Sequence, residues 1–345
     1  MEKIDVIDYN IYMGPIVSSL ESLIERQSFS SLFVLTDENT LIHCKPLLDA
    51  FLSNHPHALC TIPAGEIHKN IHTCVRVWQS MTEAKLDRHA IMINLGGGVI
   101  GDLGGFCAST YKRGIRFVQV PSTLLSQVDA SIGGKLGIDF DGYKNHIGVF
   151  RSPMAVMIDV AFLKTLSTRE LRSGYAEIIK HCLIADGSYW VELSQIIELE
   201  SVDWSVVIRR SLEVKRQIVI EDPFEKGKRK LLNFGHTLGH AIESHFLESS
   251  YPLLHGEAIA AGMIYETRLS SKYLSLNKDD QQEIIHYIQL LYGPAPKITI
   301  SELMDTMKQD KKNLDNKISF SLLSSIGHSQ WDLLLEEKDL LFLES

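Results

Sequence analysis

Several features that would assign this chain to a special class of protein are missing from its sequence. No apolar run approaches the length of a membrane span, and the sequence contains no repeat or low-complexity tract. The first residues, Met-Glu-Lys-Ile-Asp, lack the pattern of a signal peptide. We therefore expect a cytoplasmic protein that does not enter a membrane.

Cysteine is scarce, and basic residues do not predominate. The five cysteines, at positions 44, 60, 74, 107 and 182, form no CxxC motif, which is typical of reduced thiols in a cytosolic protein. Lysine and arginine total 34 against 43 aspartate and glutamate residues, so the net charge is −9 and no nucleic-acid partner is expected. An anionic substrate would need a local basic cluster instead.

The chain is long enough for more than one domain. Its 345 residues can bury a large core, and 45% hydrophobic with 22% charged residues is ordinary for a globular protein. We place a boundary at 162/163, between an N-terminal domain, 1–162, and a C-terminal domain, 163–345.

The N-terminal half alternates short apolar runs with helical segments. Residues 1–20 are predicted to form short edge strands with a turn near Gly14-Pro15, and 31–36 a buried strand. Further strands are predicted at 58–62, 90–95, 115–120 and 154–159. The intervening helices are predicted over 41–54, over 70–85 and up to about Tyr111. This alternation predicts an α/β, Rossmann-like nucleotide-binding domain.

A glycine-rich loop follows the strand predicted at 90–95. Gly96, Gly98 and Gly101 fit G-x-G-x-x-G between a strand and a helix, where backbone amides and the helix N-terminus favour a pyrophosphate. We interpret it as a phosphate-binding loop rather than a tight structural turn. The loop departs from the Rossmann template because it follows an internal strand. The candidate ribose-binding acid, Asp37, lies upstream and by itself is more typical of a helix cap.

The C-terminal half has helical periodicity. Helices are predicted over 169–184, 187–197, 203–220, 228–247, 255–275, 279–292 and 301–311. A small β piece is expected near 318–323 and 331–334. We therefore predict an all-helical metal-binding domain, with the functional site in the cleft between the two halves.

Histidines and a glutamate suggest the metal. His236 and His240 are four residues apart in a predicted helix, which puts both imidazoles on one face, although two ordinary histidines would give the same pattern. Glu177 lies in a second predicted helix and His255 begins a third. One glutamate and two or three histidines from separate helices would make a Zn²⁺ site with an open position.

Seven motifs, in order along nearly the whole chain, resemble the 3-dehydroquinate synthases of the sugar-phosphate cyclase family. They are Ala64–Lys69, Gly96–Asp102, Lys112–Thr123, Val128–Lys135, Gly174–Lys180, Arg229–His240 and Leu254–Glu257.

This resemblance implies an enzyme that uses NAD⁺ and one divalent metal ion, Zn²⁺ or Co²⁺. It would convert 3-deoxy-D-arabino-heptulosonate 7-phosphate to 3-dehydroquinate and phosphate, in the shikimate route to aromatic amino acids. The implied steps are transient oxidation by NAD⁺, phosphate elimination, re-reduction, ring opening and aldol closure. The implied metal ligands are Glu177, His236 and His255, and His240 becomes a catalytic group that serves the substrate.

The resemblance also implies the remaining site residues. Those for the substrate are Arg113, Asp129, Lys135, Asn145, Lys180, Lys215, Arg229, Asn233 and one of Lys311 and Lys312. Those for NAD⁺ are Asp37, Asn39, Glu66, Lys69, Gly97, Gly98, Val99, Asp102, Ser122, Thr123, Lys144, Phe162 and Thr165. Arg113 is expected to reach across the interface of a homodimer.

Some positions depart from the family pattern. Leu136 stands where the family usually has threonine, Asp139 where it has asparagine, and Ser122 where it has threonine; the stretch between Glu243 and His255 is slightly long. We expect Leu136, beside a substrate lysine, to affect the shape of the pocket without removing a charge or a ligand.

Three other functions fit parts of the pattern. Cyclases that form 2-deoxy-scyllo-inosose or a valiolone tend to replace the residues at Arg229, Asn233 or His240, and this chain retains all three. A metal-dependent polyol dehydrogenase would need fewer phosphate-binding cations and would consume NAD⁺. An inactive NAD-binding paralogue would be expected to have lost part of the ligand set.

Overall fold

The computed structural model describes residues 1–141, 143–247, 249–308 and 317–344, except for the side chains at 305 and 308. The chain divides into two compact units, Met1–Ser167 and Thr168–Ser345.

The first unit is built on a seven-stranded sheet in the order β1-β2-β9-β6-β5-β3-β4. Strand β1 pairs antiparallel with β2, and every other neighbouring pair is parallel. The strands are β1 (Glu2–Asp5), β2 (Asn10–Met13), β3 (Leu32–Asp37), β4 (His57–Ile62), β5 (Ile91–Gly96), β6 (Arg116–Pro121) and β9 (Ala155–Ile158). The five strands predicted between 31 and 159 are thereby confirmed.

Helices cover both faces of this sheet. They are α1 (Ile16–Ile24), α2 (Glu38–His43), α3 (Asp49–Leu52), α4 (Ile71–Glu83) and α5 (Gly98–Thr110). Successive residues of β3 alternate between the faces, so Leu32 and Val34 join one apolar cluster and Phe33 and Leu35 join the other. Because both faces are covered, the central strands are continuous apolar runs.

Two predictions for this unit are wrong in detail. Residues 16–24 form helix α1, whereas an edge strand was expected after the turn near Gly14-Pro15. The single helix expected over 41–54 is divided, because Pro46 lies in the first turn of a 3-10 segment, Lys45–Leu48, that separates α2 from α3.

A hairpin that the sequence pattern did not reveal packs beside α5. It consists of β7 (Lys135–Phe140) and β8 (Tyr143–Phe150). Leu136 is 6% exposed and belongs to the apolar cluster of α4 and α5; a Cβ atom on Gly105 of α5 would lie 2.4 Å from Leu136 Cδ2. Leu136 thus packs in the core of this unit, and its expected effect on the shape of a ligand pocket stays a prediction.

The second unit is mainly helical. Its helices are α6 (Thr168–Ala185), α7 (Gly187–Leu193), α8 (Trp204–Glu221), α9 (His236–Phe246), α10 (His255–Tyr273), α11 (Lys278–Tyr292), α12 (Ile300–Lys308) and α13 (Glu337–Leu340). The unit also contains an antiparallel hairpin, β10 (Ile318–Ser325) with β11 (His328–Leu335), so "all-helical" is too strong and the small β piece is confirmed. No helix among the described residues is long and apolar enough to cross a membrane.

The prediction of one helix over 228–247 is wrong in its first part. Residues Lys228–Asn233 form a 3-10 segment, and α9 begins only at His236. The break occurs at Gly235, whose φ of 80° is in the left-handed region that glycine adopts without strain. His236 therefore lies at the N-terminus of a helix rather than in its middle.

We predict that Leu136→Ala lowers the free energy of unfolding by about 2–5 kcal/mol, because it leaves a cavity between the hairpin and α5. Urea denaturation of the purified protein measures this loss. The matched control is Leu59→Ala on β4, where the leucine is 39% exposed and a much smaller loss is expected. Equal losses in the two variants would contradict the core position of Leu136.

Candidate functional site

The arrangement of the second unit depends on two close approaches between helices. A Cβ atom on Gly256, in the first turn of α10, would lie 1.8 Å from the carbonyl oxygen of Ser173 in α6. A Cβ atom on Gly262 would lie 2.0 Å from the carbonyl oxygen of Gly235, beside the start of α9. Glycine at these two positions lets α10 contact both α6 and α9 through its backbone.

These contacts bring Glu177, His236 and His255 together. Glu177 is fully buried in α6, and each histidine is the first residue of its helix. Glu177 Oε1 lies 3.6 Å from His236 Nε2 and 3.6 Å from His255 Nε2. The second carboxylate oxygen, Oε2, accepts a hydrogen bond from Lys180 Nζ.

The spacing fits ligands that share one metal ion. Zn²⁺ binds imidazole nitrogen and carboxylate oxygen at about 2.0–2.2 Å, so neighbouring ligand atoms at a tetrahedral angle are separated by roughly 3.4 Å. The separations of 3.6 Å are close to that value. One carboxylate and two imidazoles would leave a fourth position for a substrate oxygen.

Local contacts prepare His236 as a ligand. Its Nδ1 lies 3.2 Å from the carbonyl oxygen of Phe234, an acceptor, so Nδ1 carries the proton and Nε2 keeps its lone pair. Burial, reinforced by the nearby Lys180 ammonium, holds the pKa of His236 well below its usual value. The imidazole is therefore neutral, as a metal ligand must be.

His255 lies between two carboxylates. Its Nε2 faces Glu177, and its Nδ1 lies 3.5 Å from Glu243 Oε2. Burial disfavours the imidazolium, but hydrogen bonding to Glu177 and Glu243 outweighs burial and raises the pKa of His255 to about 9. Sequence reasoning did not select Glu243, although its position seven residues after His236 places both side chains on one face of α9.

A second carboxylate that the sequence reasoning missed is Glu266. It is fully buried in α10, and its two oxygens accept hydrogen bonds from the backbone N–H groups of Gly235 and Leu238, at 2.6 and 3.1 Å. A carboxylate here satisfies two free donors and interacts favourably with the dipole of α9. Glu266 thus holds the end of the helix that presents His236.

His240 lies next to the same cluster. Its ring centre is 5.1 Å from that of His236 and 5.8 Å from that of His255. One nitrogen from each of the three histidines can be chosen so that all lie within 4.8 Å of one another. The geometry therefore allows a three-histidine set as well as the set of Glu177, His236 and His255.

Three predicted substrate cations are almost completely buried. Lys180, Lys215 and Arg229 are 1%, 4% and 2% exposed, on α6, α8 and the 3-10 segment 228–233, and these three elements pack against one another. Arg229 Nη1 donates to the carbonyl oxygen of Pro223, and Asn233 Nδ2 donates to Glu225 Oε1. Buried cations in one region are typical of a site for an anionic group.

In the first unit, the glycine loop lies where the strand order reverses. From β3 the chain continues to β4 on one side, and from β5 it continues to β6 on the other, so the crevice expected in such a sheet opens between β3 and β5. Leu35 pairs with Asn94, which puts Asp37 and Gly96 at equivalent positions at the ends of these strands. The upstream acid is thus beside the loop in space.

The side chain of Asp37 also caps α2. Its Oδ1 accepts from the backbone N–H of Thr40 at 2.7 Å, which agrees with the helix-cap interpretation. Gly97 is the N-cap residue of α5, and a Cβ atom there would lie 3.1 Å from Thr123 Cγ2. Thr123 therefore borders the loop.

Lys69 joins several of the predicted residues in one network. Its Nζ donates to Asp102 Oδ2 and to Asn145 Oδ1, both at 2.7 Å, and lies 3.8 Å from Glu66 Oε1. Burial disfavours the charged amine, but Asp102 and Glu66 together keep the pKa of Lys69 above its usual value, so it stays protonated. Asp139 Oδ1 accepts from the backbone N–H of Asn145, whose φ is 50°.

The other predicted residues are placed individually. Phe162 is buried in the core, which leaves only its backbone for a cofactor, and its carbonyl oxygen accepts from Thr165 Oγ1. Ser122 is buried, and Gly98 and Val99 open α5. Arg113, Lys135 and Asn39 are exposed, whereas Asp129 and Lys144 are half-buried. Lys311 and Lys312 lie outside the described residues.

Comparison with known families gives two adjoining matches. The sequence model described as "3-dehydroquinate synthase N-terminal" matches residues 59–173, and the one described as "3-dehydroquinate synthase C-terminal" matches residues 174–313. Together they cover the glycine loop, the Lys69 network, the candidate metal ligands and the buried cations.

Individual proteins are similar over most of the chain. The 3-dehydroquinate synthase of Parabacteroides distasonis is 38% identical over 316 residues, which are 90% of this chain and 89% of that protein. The enzyme of the same name from Listeria innocua is 42% identical over 306 residues, 87% and 83% of the two chains. A solved structure of 2-epi-5-epi-valiolone synthase from Streptomyces hygroscopicus, with NAD⁺ and Zn²⁺ bound, is similar in fold, with a TM-score of 0.86. The sequence identity is 26%, and the match covers 99% of this chain and 97% of that chain.

We predict that Gly256→Ala weakens both the fold of the second unit and its metal binding. The added methyl group overlaps the Ser173 carbonyl, so α10 must move away from α6, at a cost of about 1–3 kcal/mol or more, and His255 moves with it. Urea denaturation and the zinc content after dialysis measure the two effects.

The matched control for this variant is Gly101→Ala in α5, where the added Cβ atom would meet nothing closer than 3.5 Å. That variant is expected to keep wild-type stability and zinc content. A Gly256→Ala protein with the same stability and zinc content as the control would show that the close approach does not determine the site.

Proposed function

The chain belongs to the 3-dehydroquinate synthase family, and we propose that it uses one divalent metal ion in its helical unit and NAD⁺ in its α/β unit. Its activity is that of a 3-dehydroquinate synthase, a phosphate-eliminating lyase of the shikimate pathway. The proposed substrate is 3-deoxy-D-arabino-heptulosonate 7-phosphate. The observation that carries the metal assignment is the convergence of Glu177, His236 and His255 on one point.

The chemistry of these donors supports Zn²⁺ or Co²⁺. Two imidazoles and a carboxylate suit such ions, and the solved valiolone synthase structure contains NAD⁺ and Zn²⁺. When bound, the ion would act as a Lewis acid on a substrate oxygen. Lys180 holds the other oxygen of Glu177, so the carboxylate presents Oε1 to the two histidines.

The buried cations support binding of a substrate that carries a phosphate and a carboxylate. Lys180, Lys215 and Arg229 are fixed by the packing of α6, α8 and the 3-10 segment, so little side-chain entropy is lost when they bind an anion. Asn233 follows Arg229 on the same segment and adds an amide donor. By family resemblance we add Arg113, Asp129, Lys135 and Asn145 from the first unit.

The crevice between β3 and β5 supports NAD⁺ binding by the first unit. Gly97 and Gly98 present the N-terminus of α5, which favours a pyrophosphate, and Asp37 stands at the end of the neighbouring strand. Bound NAD⁺ would accept one hydride and return it, so the cofactor is not consumed. The protonated Lys69, held by Asp102 and Asn145, fixes these two side chains in one network with Glu66.

His240 is assigned to the substrate rather than to the ion. It is half-buried on α9, one turn after His236, and we propose that Glu177, His236 and His255 hold the ion. We propose that His240 exchanges a proton with a substrate oxygen. We also propose a homodimer, to which the exposed Arg113 would contribute, on a turn where Lys112 and Arg113 both have positive φ.

The direct test is an assay of phosphate release from 3-deoxy-D-arabino-heptulosonate 7-phosphate with NAD⁺ and Zn²⁺ or Co²⁺, while the NADH absorbance is followed. We expect phosphate release without net NADH, loss of release with a chelator, and recovery when the metal is returned. His240→Ala is expected to keep the metal and to lose at least about 100-fold in turnover, as for removal of a general acid–base group.

Other outcomes would change the assignment. NADH formation from simple polyols without phosphate release would indicate a polyol dehydrogenase. Turnover only with glucose 6-phosphate or sedoheptulose 7-phosphate would indicate a cyclase that forms another ring. Loss of metal from His240→Ala would make His240 a ligand.

A further inference from the structure

The two histidines of the metal site are held in different ways. His236 Nδ1 donates to a backbone carbonyl, that of Phe234, so a neutral acceptor that no side-chain substitution removes orients its ring. His255 Nδ1 instead faces a side chain, Glu243 Oε2, at 3.5 Å. The orientation of His255 therefore depends on a second residue in a way that the orientation of His236 does not.

His255 needs such a contact because of its place in the chain. It is the first residue of α10, its side chain is 28% exposed, and it follows residues 249–254, which form neither helix nor strand. Its Nε2 must face Glu177 Oε1 for the ring to serve as a ligand. With Glu177 on one side and Glu243 on the other, the two ring nitrogens have opposite partners, which selects one ring orientation and one tautomer.

Glu243 is itself firmly placed. It is 7% exposed, in the third turn of α9, on the same helix as His236. One rigid helix thus supplies one ligand directly and supports another ligand on a neighbouring helix. A buried carboxylate at this distance also makes the imidazole a stronger electron donor, because it accepts from the Nδ1–H group.

We propose that Glu243 is a positioning residue that holds the His255 ring with Nε2 toward the metal and thereby sets the affinity of the site for the ion. This inference rests on the proposed metal site of Glu177, His236 and His255. Glu243 does not itself bind the metal, because its contact is with the opposite nitrogen of the ring.

The experiment measures metal binding rather than turnover. Zn²⁺ affinity is determined by competition with a chromophoric chelator for the wild type, Glu243→Gln and Glu243→Asp, together with the visible spectrum of each Co²⁺-loaded protein. We expect Glu243→Gln to bind Zn²⁺ about 10–100-fold more weakly, as for other residues that support metal-bound histidines. The visible spectrum of the Co²⁺-loaded protein should change as well, because a reoriented His255 imidazole changes the ligand field at the ion.

The matched control is Glu192→Gln, which removes one carboxylate from an exposed position on α7 and should bind Zn²⁺ as tightly as the wild type. Wild-type affinity and an unchanged Co²⁺ spectrum in Glu243→Gln would overturn the inference. If Glu243→Gln does not fold, Glu243→Asp is the variant that tests the inference. Its side chain is one methylene shorter, so the carboxylate lies farther from His255 Nδ1. Weaker Zn²⁺ binding by Glu243→Asp supports the inference, and unchanged Zn²⁺ binding overturns it. A wild-type protein that binds no Zn²⁺ would instead refute the proposed metal site.

Discussion

The close contact of α10 with α6 and α9 is the constraint on which the helical unit depends. At Gly256 and Gly262 there is no space for a methyl group, so the helices meet backbone to backbone. This contact places the first residue of α10, His255, and the first residue of α9, His236, 3.6 Å from the same oxygen of Glu177. Larger side chains at the two glycines would separate the ligands, whatever their identity.

The helical unit buries many charges, and their arrangement explains why it can do so. Glu266 is satisfied by backbone N–H groups of α9, and one oxygen of Glu177 is satisfied by Lys180. The other oxygen of Glu177 faces two histidines, a grouping whose charge a divalent cation would balance. Lys215 and Arg229 are buried in the same unit, and we propose that they bind the anionic groups of the substrate. The electrostatics of the unit thus suit one cation and one anionic substrate.

The sequence predicted those features that depend on local pattern. Continuous apolar runs identified the central strands, because both sheet faces are covered, and glycine spacing identified the loop before α5.

Local pattern did not reveal the break at Gly235, since a left-handed glycine inside an apolar periodicity resembles a helical residue. It also did not reveal Glu243 and Glu266, because each acts on a neighbouring helix. The position of Leu136 depended on β7 and β8, which lack a strong alternating pattern. From the residues alone, it remained open whether His240 is a ligand beside Glu177, His236 and His255, and the resemblance to the family favours a catalytic role for it.

The central claim is that a carboxylate and two imidazoles, not three imidazoles, hold one metal ion. X-ray absorption spectroscopy of the Zn²⁺-loaded protein counts the imidazole ligands directly, through the multiple scattering of their rings. The account predicts two imidazoles, with oxygen ligands completing the shell, and the same count in a His240→Ala variant. Three imidazoles in the wild type, falling to two in His240→Ala, would contradict it.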